Sequence, residues 1–474
     1  MFNENSIHNI EDLITRSNGE FLEYDLKPFL RIPSITLNKA GIRKAADFIK
    51  SYTSEFSEEI TEFEGEINPL ILVKVKGKSN ESLLIYMMYD TQPINNEGEW
   101  ISDPFEAKVK ILPPPLDALG KCIIARGAYN TKSALLCFLN VIKLLKENDL
   151  LPLSLLILFD GEEEIGSQSL LNLLEHKKEV FKQCIDAYYP SIKQDINGTS
   201  VLKLGYRGIL SLTLKIHSKN KESHSAFSAM IPNPATELIS LLNRIYSNNE
   251  FLIDSLKNAY IYTEEERDTI ENLMKQFDLE IIKKKAGIIE TIENNPKKAF
   301  TDYLFKPTFN ISTLKSGFLG EGTKNMVPNQ ALCNVDIRFA HNISTEIIFK
   351  EIEEKVKNYE KKSTSHIELL RNVGYEGSRV SRDSILVRSL IKSFDILGVQ
   401  TEIWPFSAAA APLSKIQKEL GLNFIVGGLG IGGFAHAPNE FVQINSIINT
   451  RLSNFYFLIN YFHMLKEKNK SEEE

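Results

Sequence analysis

Short apolar runs alternate with segments of helical periodicity over the first 208 residues. Runs of strand length lie at residues 70–75, 83–86 and 153–159. Between and before them, apolar residues recur three or four positions apart, as they do in amphipathic helices. The helices predicted in this part of the chain are 1–34, 41–55 and 131–147. Strands that alternate with helices indicate an α/β domain with a largely parallel sheet.

The pattern changes after residue 208. Residues 209–218 alternate apolar and polar positions, which is typical of a half-buried strand and here predicts an exposed edge strand. The other strands predicted in this region are 331–339 and 366–370, and the helices are 234–246, 252–298 and 345–359. This succession indicates a small α+β sandwich inserted in the chain.

The α/β pattern returns from about residue 384, with a predicted helix at 385–397 and a strand at 423–426. The last nine residues, KEKNKSEEE, are predicted to form a disordered end. We therefore predict an α/β domain made of residues 1–208 and 376–474, with an inserted α+β domain at 209–375.

Composition narrows the classes of function. The chain has 474 residues, with 55 Lys and Arg against 62 Asp and Glu, and a mildly acidic balance disfavours nucleic acid as a partner. No apolar run approaches the roughly 18 to 20 residues that span a bilayer, so no membrane partner is expected. The polar, acidic start disfavours a secretory signal. Four cysteines without a CxxC pair indicate neither a disulfide framework nor a cysteine metal site, and we predict a cytoplasmic protein.

Polar and glycine-rich segments follow several of the predicted strands. The segment FDGEEEIGS, residues 159–167, comes directly after an apolar run, and ligands of open α/β sheets bind beyond the carboxyl ends of strands. Successive glutamates at such a site need a cation or a proton. One carboxylate can then bind a metal ion while its neighbour acts as a general base. A solvated acidic turn is the alternative interpretation.

Five further segments contain candidate chemistry. They are MMYDTQP at 87–93, ARGAYNTKSA at 125–134, SHSAFSAMIPNPA at 223–235, GFLGEGTKNMVP at 317–328 and GGLGIGGFAHAPNE at 427–440. The glycine runs lack the phosphate-loop pattern GxxxxGK[ST], which disfavours nucleotide binding. A single histidine in such a segment is more often structural than a ligand.

Taken in order, the six segments resemble metallopeptidase family M20, which includes carnosinase-type dipeptidases, aminoacylases, carboxypeptidase G and acetylornithine deacetylases. The resemblance covers roughly residues 20–465. It implies a zinc-peptidase-like mixed sheet flanked by helices, with an inserted ferredoxin-like α+β domain that acts as a lid and dimerises. It also implies zinc as the cofactor and a peptide or an N-acyl amino acid as the substrate.

The resemblance assigns roles to several residues. The catalytic positions that are retained are Glu163, Asp90 and His224, and the retained metal ligands are Glu164 and His436. Glu163 matches the general base, and His224 matches a lid histidine that polarises the scissile carbonyl in the partner's cleft. Arg338, in DIRF, matches an arginine that binds the substrate carboxylate.

Three expected metal-ligand positions depart from the family pattern. Met88 replaces the metal-binding histidine that precedes Asp90, Asn130 replaces the bridging aspartate, and Ser191 or Ile192 falls where a further carboxylate is expected. Two dications about 3.3 Å apart repel by roughly 20 kcal/mol at an effective dielectric constant of about 20, and an anionic bridge, which Asn130 cannot supply, offsets this repulsion. A thioether suits Cu(I) better than Zn²⁺. We predict a degraded di-zinc centre with no zinc or one, in which Asn130 is a weak third ligand.

The sequence is compatible with two functions. The first is a peptidase-like protein with little or no hydrolysis, present as a homodimer or as a heterodimer with an active paralogue. The second is an active one-metal dipeptidase or deacylase that uses Glu163 as its general base. Where members of the resembling family present a Gly/Ser-rich substrate loop, this chain has four alanines at 408–411, which would offer only methyl and backbone groups.

Overall fold

The computed structural model describes residues 4–94, 97–275, 278–286, 288–411 and 414–473. The chain divides into two compact units: Met1–Leu204, Val380–Trp404 and Lys415–Glu474 form the first, and Gly205–Arg379 and Pro405–Ser414 form the second. The segment Pro405–Ser414 groups with the second unit because the strand Ser407–Ala410 pairs with the start of the strand Gly205–His217. The domain boundaries at 208 and 376 stay predictions.

A six-stranded mixed sheet, the central sheet, forms the middle of the first unit. Its order is Glu59–Phe63, Leu70–Val75, Leu153–Asp160, Ser79–Met88, Cys184–Pro190 and Asn423–Gly427. The last four strands run parallel, and the first two are antiparallel to their neighbours. Parallel strands are covered on both faces, which explains why the run from Leu83 to Tyr89 is buried without alternation.

Helices pack on the central sheet or lie elsewhere in the first unit. They are Glu4–Arg16, Asn18–Glu20, Phe21–Leu26 (a π-helix), Lys27–Leu30, Lys39–Ser54, Lys132–Glu147, Gln168–His176, Ile385–Ile396, Ser414–Leu420 and Ser446–Glu473. Short 3₁₀ helices lie at Glu97–Glu99, Asp117–Leu119, Glu163–Ile165 and Lys178–Phe181. Lys132–Glu147 is apolar on nearly every face and buries most of its residues, so it packs as a core helix.

Two smaller sheets complete the first unit. One contains Gly432–Gly433, Phe441–Gln443, Lys121–Ile124 and Lys108–Ile111 in that order, and the other pairs Thr401–Trp404 with Ser200–Lys203. In the four-stranded sheet, Gly432–Gly433 and Phe441–Gln443 flank the loop at 434–440 and lie beside Lys121–Ile124. This pairing brings the loop close to the turn that precedes the helix Lys132–Glu147.

The prediction of a disordered end is wrong. The last helix continues through Glu473, because Lys and Glu are good helix formers and nothing in KEKNKSEE stops the helix. Asn469 also donates a hydrogen bond to Glu81 at 3.1 Å. Among the residues that the structure describes, no helix has the length and apolar character needed to cross a bilayer.

The second unit is an antiparallel sheet with helices. The strand order is Thr308–Ser316, Gln330–Phe339, Gly205–His217 and His366–Tyr375. Ser378–Arg379 and Ser407–Ala410 pair with the start of Gly205–His217, and short pairs join Ser223–His224 to Met326–Val327 and Tyr246–Ser247 to Glu250–Phe251. The helices are Pro234–Leu242, Glu264–Leu273, Leu279–Ala286, Pro296–Phe305 and Thr345–Glu360, with a 3₁₀ turn at Ser225–Phe227.

Two expectations for this unit need correction. The strand Gly205–His217 is an inner strand, not an exposed edge, since alternation reports that one face is buried and does not tell an inner strand from an edge. The segment predicted as helical at 252–298 contains separate helices; the first begins at Glu264, where Thr263 forms a capping box with Glu266. Residues 276, 277 and 287 of that segment lie outside the described residues.

Candidate functional site

The candidate site lies at one edge of the central sheet. The parallel strands Ser79–Met88, Leu153–Asp160 and Cys184–Pro190 all end there, and their following loops contain Asp90, the pair Glu163–Glu164 and residues 191–193. Ligands of open α/β sheets bind at this edge.

Three predicted ligands contact one another. The Glu164 Oε1 atom lies 3.0 Å from Asn130 Nδ2 and 3.1 Å from His436 Nε2, and Asn130 Nδ2 lies 3.1 Å from His436 Nε2. The Glu164 side chain is only 4% exposed, whereas that of His436 is 52% exposed. The carboxylate of Glu164 accepts a hydrogen bond from the His436 imidazole, which raises the pKa of His436. We refer to Asn130, Glu164 and His436 as the ligand triad.

Gln92 fixes the second oxygen of Glu164. Its Nε2 donates to Glu164 Oε2 at 2.8 Å. Sequence reasoning missed Gln92, although it lies within the quoted segment MMYDTQP and its amide offers the donor that a buried carboxylate needs.

Asp90 supports the backbone of the glutamate loop. It is fully buried and accepts a hydrogen bond from Thr36 Oγ1 at 2.8 Å. It also accepts from the backbone N–H groups of Glu163 and Glu164, both at 3.2 Å. Burial, together with Asp160 and Glu163, raises the pKa of Asp90 well above its ordinary value. Asp90 therefore holds the loop, while its catalytic role stays a prediction.

Glu163, the predicted general base, lies among other acids. Burial raises the pKa of Glu163 to about 8, and Glu164 and Asp160 add to the effect, while His436 and Lys193 oppose it. Asp160 is itself buried and accepts a hydrogen bond from the Tyr86 hydroxyl at 2.9 Å. Sequence reasoning missed Asp160 and Lys193, because neither falls on a position to which the family pattern assigns a role.

Glu440 braces the turn that presents Asn130. Its carboxylate accepts hydrogen bonds from the backbone N–H groups of Gly127 at 3.1 Å, Tyr129 at 3.0 Å and Asn130 at 2.8 Å. Arg126 forms a buried ion pair with it at 2.8 Å. Burial raises the pKa of Glu440 against these partners. In the sequence, Glu440 is the final residue of the segment AHAPNE, and no role was predicted for it.

Glu162 braces the neighbouring loop in the same way. It accepts from the backbone N–H groups of Ile67 and Asn68, each at 2.8 Å, and from Ser169. Burial alone would raise the pKa of Glu162, but the hydrogen bonds from Asn68 and Ser169 outweigh it and lower that pKa. The first glutamate of EEE is thus structural, and only the next two face the candidate site.

The positions where the family pattern expects further metal ligands are occupied by thioether, hydroxyl or aliphatic side chains. Met88 is buried at 1% exposure and Ile192, also at 1%, packs into the core of the first unit. Ser191 is buried, and its N–H donates to Gly427 O at 2.7 Å. Within the described part of the chain, no group of three or more His, Cys, Asp or Glu is arranged to hold a metal ion.

The spacing within the ligand triad is compatible with ligation of one metal ion. Ligand atoms about 2.1 Å from zinc at tetrahedral angles are about 3.4 Å apart, slightly more than the 3.0 to 3.1 Å within the triad. Turning the Asn130 amide over puts its oxygen in place of its nitrogen, since the two ends are interchangeable in shape.

His224 and Arg338 belong to the second unit. His224 is exposed and its Nδ1 accepts from the Ala226 N–H at 3.1 Å. Arg338 lies on the strand Gln330–Phe339 and is partly buried; its carbonyl accepts from the Arg207 guanidinium at 2.7 Å. The roles expected for both residues stay predictions.

Comparison with known proteins decides the family. Residues 84–453 match the model of "Peptidase family M20/M25/M40". The chain belongs to the M20/M25/M40 peptidase family. Among curated M20/M25/M40 relatives, it is 24% identical to the Cys-Gly metallodipeptidase dug1 of Schizosaccharomyces pombe over 396 residues, which cover 79% of this chain and 80% of that protein. It is also 24% identical to the Beta-Ala-His dipeptidase of Rattus norvegicus over 60% of this chain and 57% of that protein.

Solved structures confirm the M20/M25/M40 fold. The metallo-carboxypeptidase Sso-CP2 of Sulfolobus solfataricus superposes with a TM-score of 0.82 at 27% identity, covering 93% of this chain and 99% of that one. Human carnosine dipeptidase 1 superposes with a TM-score of 0.75 at 16% identity, covering 96% and 99%. The predicted mixed sheet with an inserted α+β unit is confirmed, and so is the resemblance stated from the sequence.

Proposed function

We propose that this M20/M25/M40 member has a metal centre reduced to at most one zinc ion, and that it binds a dipeptide or an N-acyl amino acid with little or no hydrolysis. The observation that supports this most is Asn130, whose neutral amide contacts Glu164 and His436 where two ions would need an anionic bridge. Met88 and Ile192 support it further, because neither side chain is a ligand that zinc prefers.

Within a one-ion centre, Glu164 Oε1, His436 Nε2 and the Asn130 oxygen would hold the zinc. Bound zinc acts as a Lewis acid that polarises a substrate carbonyl. Gln92 orients Glu164 by its hydrogen bond at 2.8 Å. Glu163 would take a proton from an attacking water, from a loop whose backbone is supported by Asp90.

The alternative function is an active one-metal dipeptidase or deacylase. It is favoured by one observation: the base position Glu163 and the ligands Glu164 and His436 are all retained at one edge of the central sheet. In that case Glu163 is the general base and its removal abolishes turnover.

The proposed substrate class is based on the relatives, and the proposed partner is based on the second unit. Relatives named as Cys-Gly and Beta-Ala-His dipeptidases support a dipeptide ligand, with Arg338 binding its carboxylate. We propose dimerisation through the second unit, as a homodimer or with an active paralogue, with His224 directed to the partner's cleft. The cytoplasm is the proposed compartment.

The test combines metal counting with turnover. The purified, unchelated chain is loaded with zinc and analysed for metal per chain, and hydrolysis of Cys-Gly and of β-Ala-His is then measured with Glu163→Gln as the control. We expect one zinc or none, ligand binding in calorimetry, and no turnover above the control. Two tightly held ions would overturn the proposal. Turnover that chelation and Glu163→Gln both abolish would establish the one-metal enzyme instead.

A further inference from the structure

A groove of about 650 Å³ lies at the amino ends of the parallel strands in the central sheet. Among the residues that line it, Asp186 lies near the start of the strand Cys184–Pro190 and pairs with Asn423, the first residue of its own strand. The ligand triad is at the other edge, since Glu164 follows the carboxyl end of a parallel strand. The groove is therefore separate from the candidate site, and its volume is typical of pockets that hold small molecules.

Asp186 is the most deeply buried carboxyl that lines this groove, at 8% exposure. Its oxygens accept hydrogen bonds from the Tyr461 hydroxyl at 2.8 Å and from Asn423 Nδ2 at 3.0 Å. Both donors are neutral, and no basic residue in the described part of the chain forms an ion pair with Asp186. Burial raises the pKa of Asp186, while Tyr461, Asn423 and Lys468 oppose the rise. A carboxylate has about four acceptor sites, so this one can accept further hydrogen bonds from a ligand.

Arg388 brings the opposite charge to the same groove. It lies on the helix Ile385–Ile396, is exposed and lines the groove. With the residues that the structure describes, its side chain makes no hydrogen bond or ion pair. A guanidinium group binds a carboxylate through two parallel hydrogen bonds. The groove thus combines a buried acceptor with an unpaired cationic donor.

The other charges along the groove favour a ligand that has a positive group. Glu81, Asp383 and Glu467 line it as well, and so does Lys468. Together with the two residues above, the lining has four acids and two bases, which disfavours a ligand with negative charge alone. A carboxylate on the ligand therefore needs the guanidinium of Arg388, and an ammonium group needs Asp186.

We propose that this groove is a second binding site, which takes a small zwitterion of the α-amino acid class with an aliphatic side chain. The ammonium group of the ligand binds Asp186 and its carboxylate binds Arg388. Ile185, Ile385 and Met464, which are partly buried and line the groove, contact its side chain. The inference goes beyond the proposed function and depends on neither metal binding nor hydrolysis.

The test is calorimetric titration in EDTA with L-leucine and with two analogues that each lack one charged group. 4-Methylpentanoate is leucine without its ammonium group, and 3-methylbutylamine is leucine without its carboxylate. We expect 4-methylpentanoate to bind at least about tenfold more weakly than leucine, because it leaves the buried Asp186 without its partner. We expect 3-methylbutylamine to bind about threefold more weakly, since an exposed ion pair contributes less.

Variants of the protein locate the site. Asp186→Asn should weaken leucine binding at least about tenfold, and Arg388→Gln should weaken it about threefold. Lys392→Gln is the matched control, because Lys392 is exposed on the same helix one turn further along and does not line the groove. It should bind leucine as the wild type does. Glu164→Gln, which changes the ligand triad, should also leave leucine binding as in the wild type.

The exposed position of Arg388 keeps the test independent of folding at Asp186. If Asp186→Asn does not fold, weaker leucine binding by Arg388→Gln with an unchanged Lys392→Gln supports the proposal. The proposal is overturned if leucine does not bind at about 10 mM, if 3-methylbutylamine binds as tightly as leucine, or if Arg388→Gln binds leucine as the wild type does. Two tightly held zinc ions would overturn the proposed function and leave leucine binding in EDTA unchanged.

Discussion

The replacement Asn130→Asp tests the centre of the site directly. Asn130 Nδ2 lies 3.0 Å from Glu164 Oε1, so the variant puts a carboxylate oxygen where a donor now stands. Two unit charges about 3 Å apart repel by about 5 kcal/mol at an effective dielectric constant of about 20. The neighbouring His436, whose pKa is raised by Glu164, offsets part of this when it is protonated. We expect the metal-free variant to lose about 2 to 4 kcal/mol of stability.

Zinc should reverse that loss. A ligand at 100 times its dissociation constant stabilises the folded state by about 2.7 kcal/mol, and an anionic position 130 improves the triad as a zinc site. In differential scanning calorimetry we expect Asn130→Asp to melt on the order of 2 to 4 °C below the wild type in EDTA. Added zinc should recover most of the difference while changing the wild type little.

Asn130→Ala is the control, since it removes the same hydrogen bond without adding a charge. It should lose stability in EDTA and gain nothing from zinc. The reasoning is refuted if Asn130→Asp melts with the wild type in EDTA, or if zinc raises the melting temperature of both by the same amount.

Three further predictions concern metal count, pH and the loop brace. Adding Met88→His to Asn130→Asp should raise the zinc bound per chain above the wild-type value in elemental analysis, and an unchanged count would contradict the assignment of these positions. Burial raises the pKa of Asp186, so the wild type loses stability as pH rises from about 3.9 through that raised value. Asp186→Asn should remove this loss, giving a flatter stability profile in that range, and parallel profiles would show that the carboxyl contributes nothing. Glu440→Gln leaves Arg126 buried without its counter-charge and should cost about 3 to 5 kcal/mol in chemical unfolding, whereas a change below about 1 kcal/mol would mean that the brace is dispensable.

The sequence predicts those parts of the fold that leave a strong local pattern of apolar residues. The apolar run at 70–75 and the helix Lys132–Glu147 match the structure within a residue, because buried parallel strands and core helices leave unambiguous patterns. The inner position of Gly205–His217 was not predictable, since pairing partners come from distant segments. The helical end was missed because a charged, polar stretch can either form a helix or remain solvated.

The candidate site was likewise predicted in part, with some residues identified from the sequence and others not. The resemblance named Glu164 and His436, and the structure brings them together at 3.1 Å. It gave no sign of Gln92 as a partner of Glu164, because a donor to a buried carboxylate is defined by the space around it and not by a motif. Three successive glutamates also look equivalent in the sequence, whereas Glu162 binds backbone N–H groups and faces away from the chemistry.

The brace formed by Glu440 makes position 130 a convenient point for protein engineering. Since that carboxylate holds the backbone of residues 127, 129 and 130, a new side chain at position 130 should arrive at the same place whatever its chemistry. Oxygen, imidazole and thiolate ligands prefer different ions. Exchanging this one residue therefore offers a way to change which metal the proposed one-ion centre selects while the rest of the scaffold stays constant.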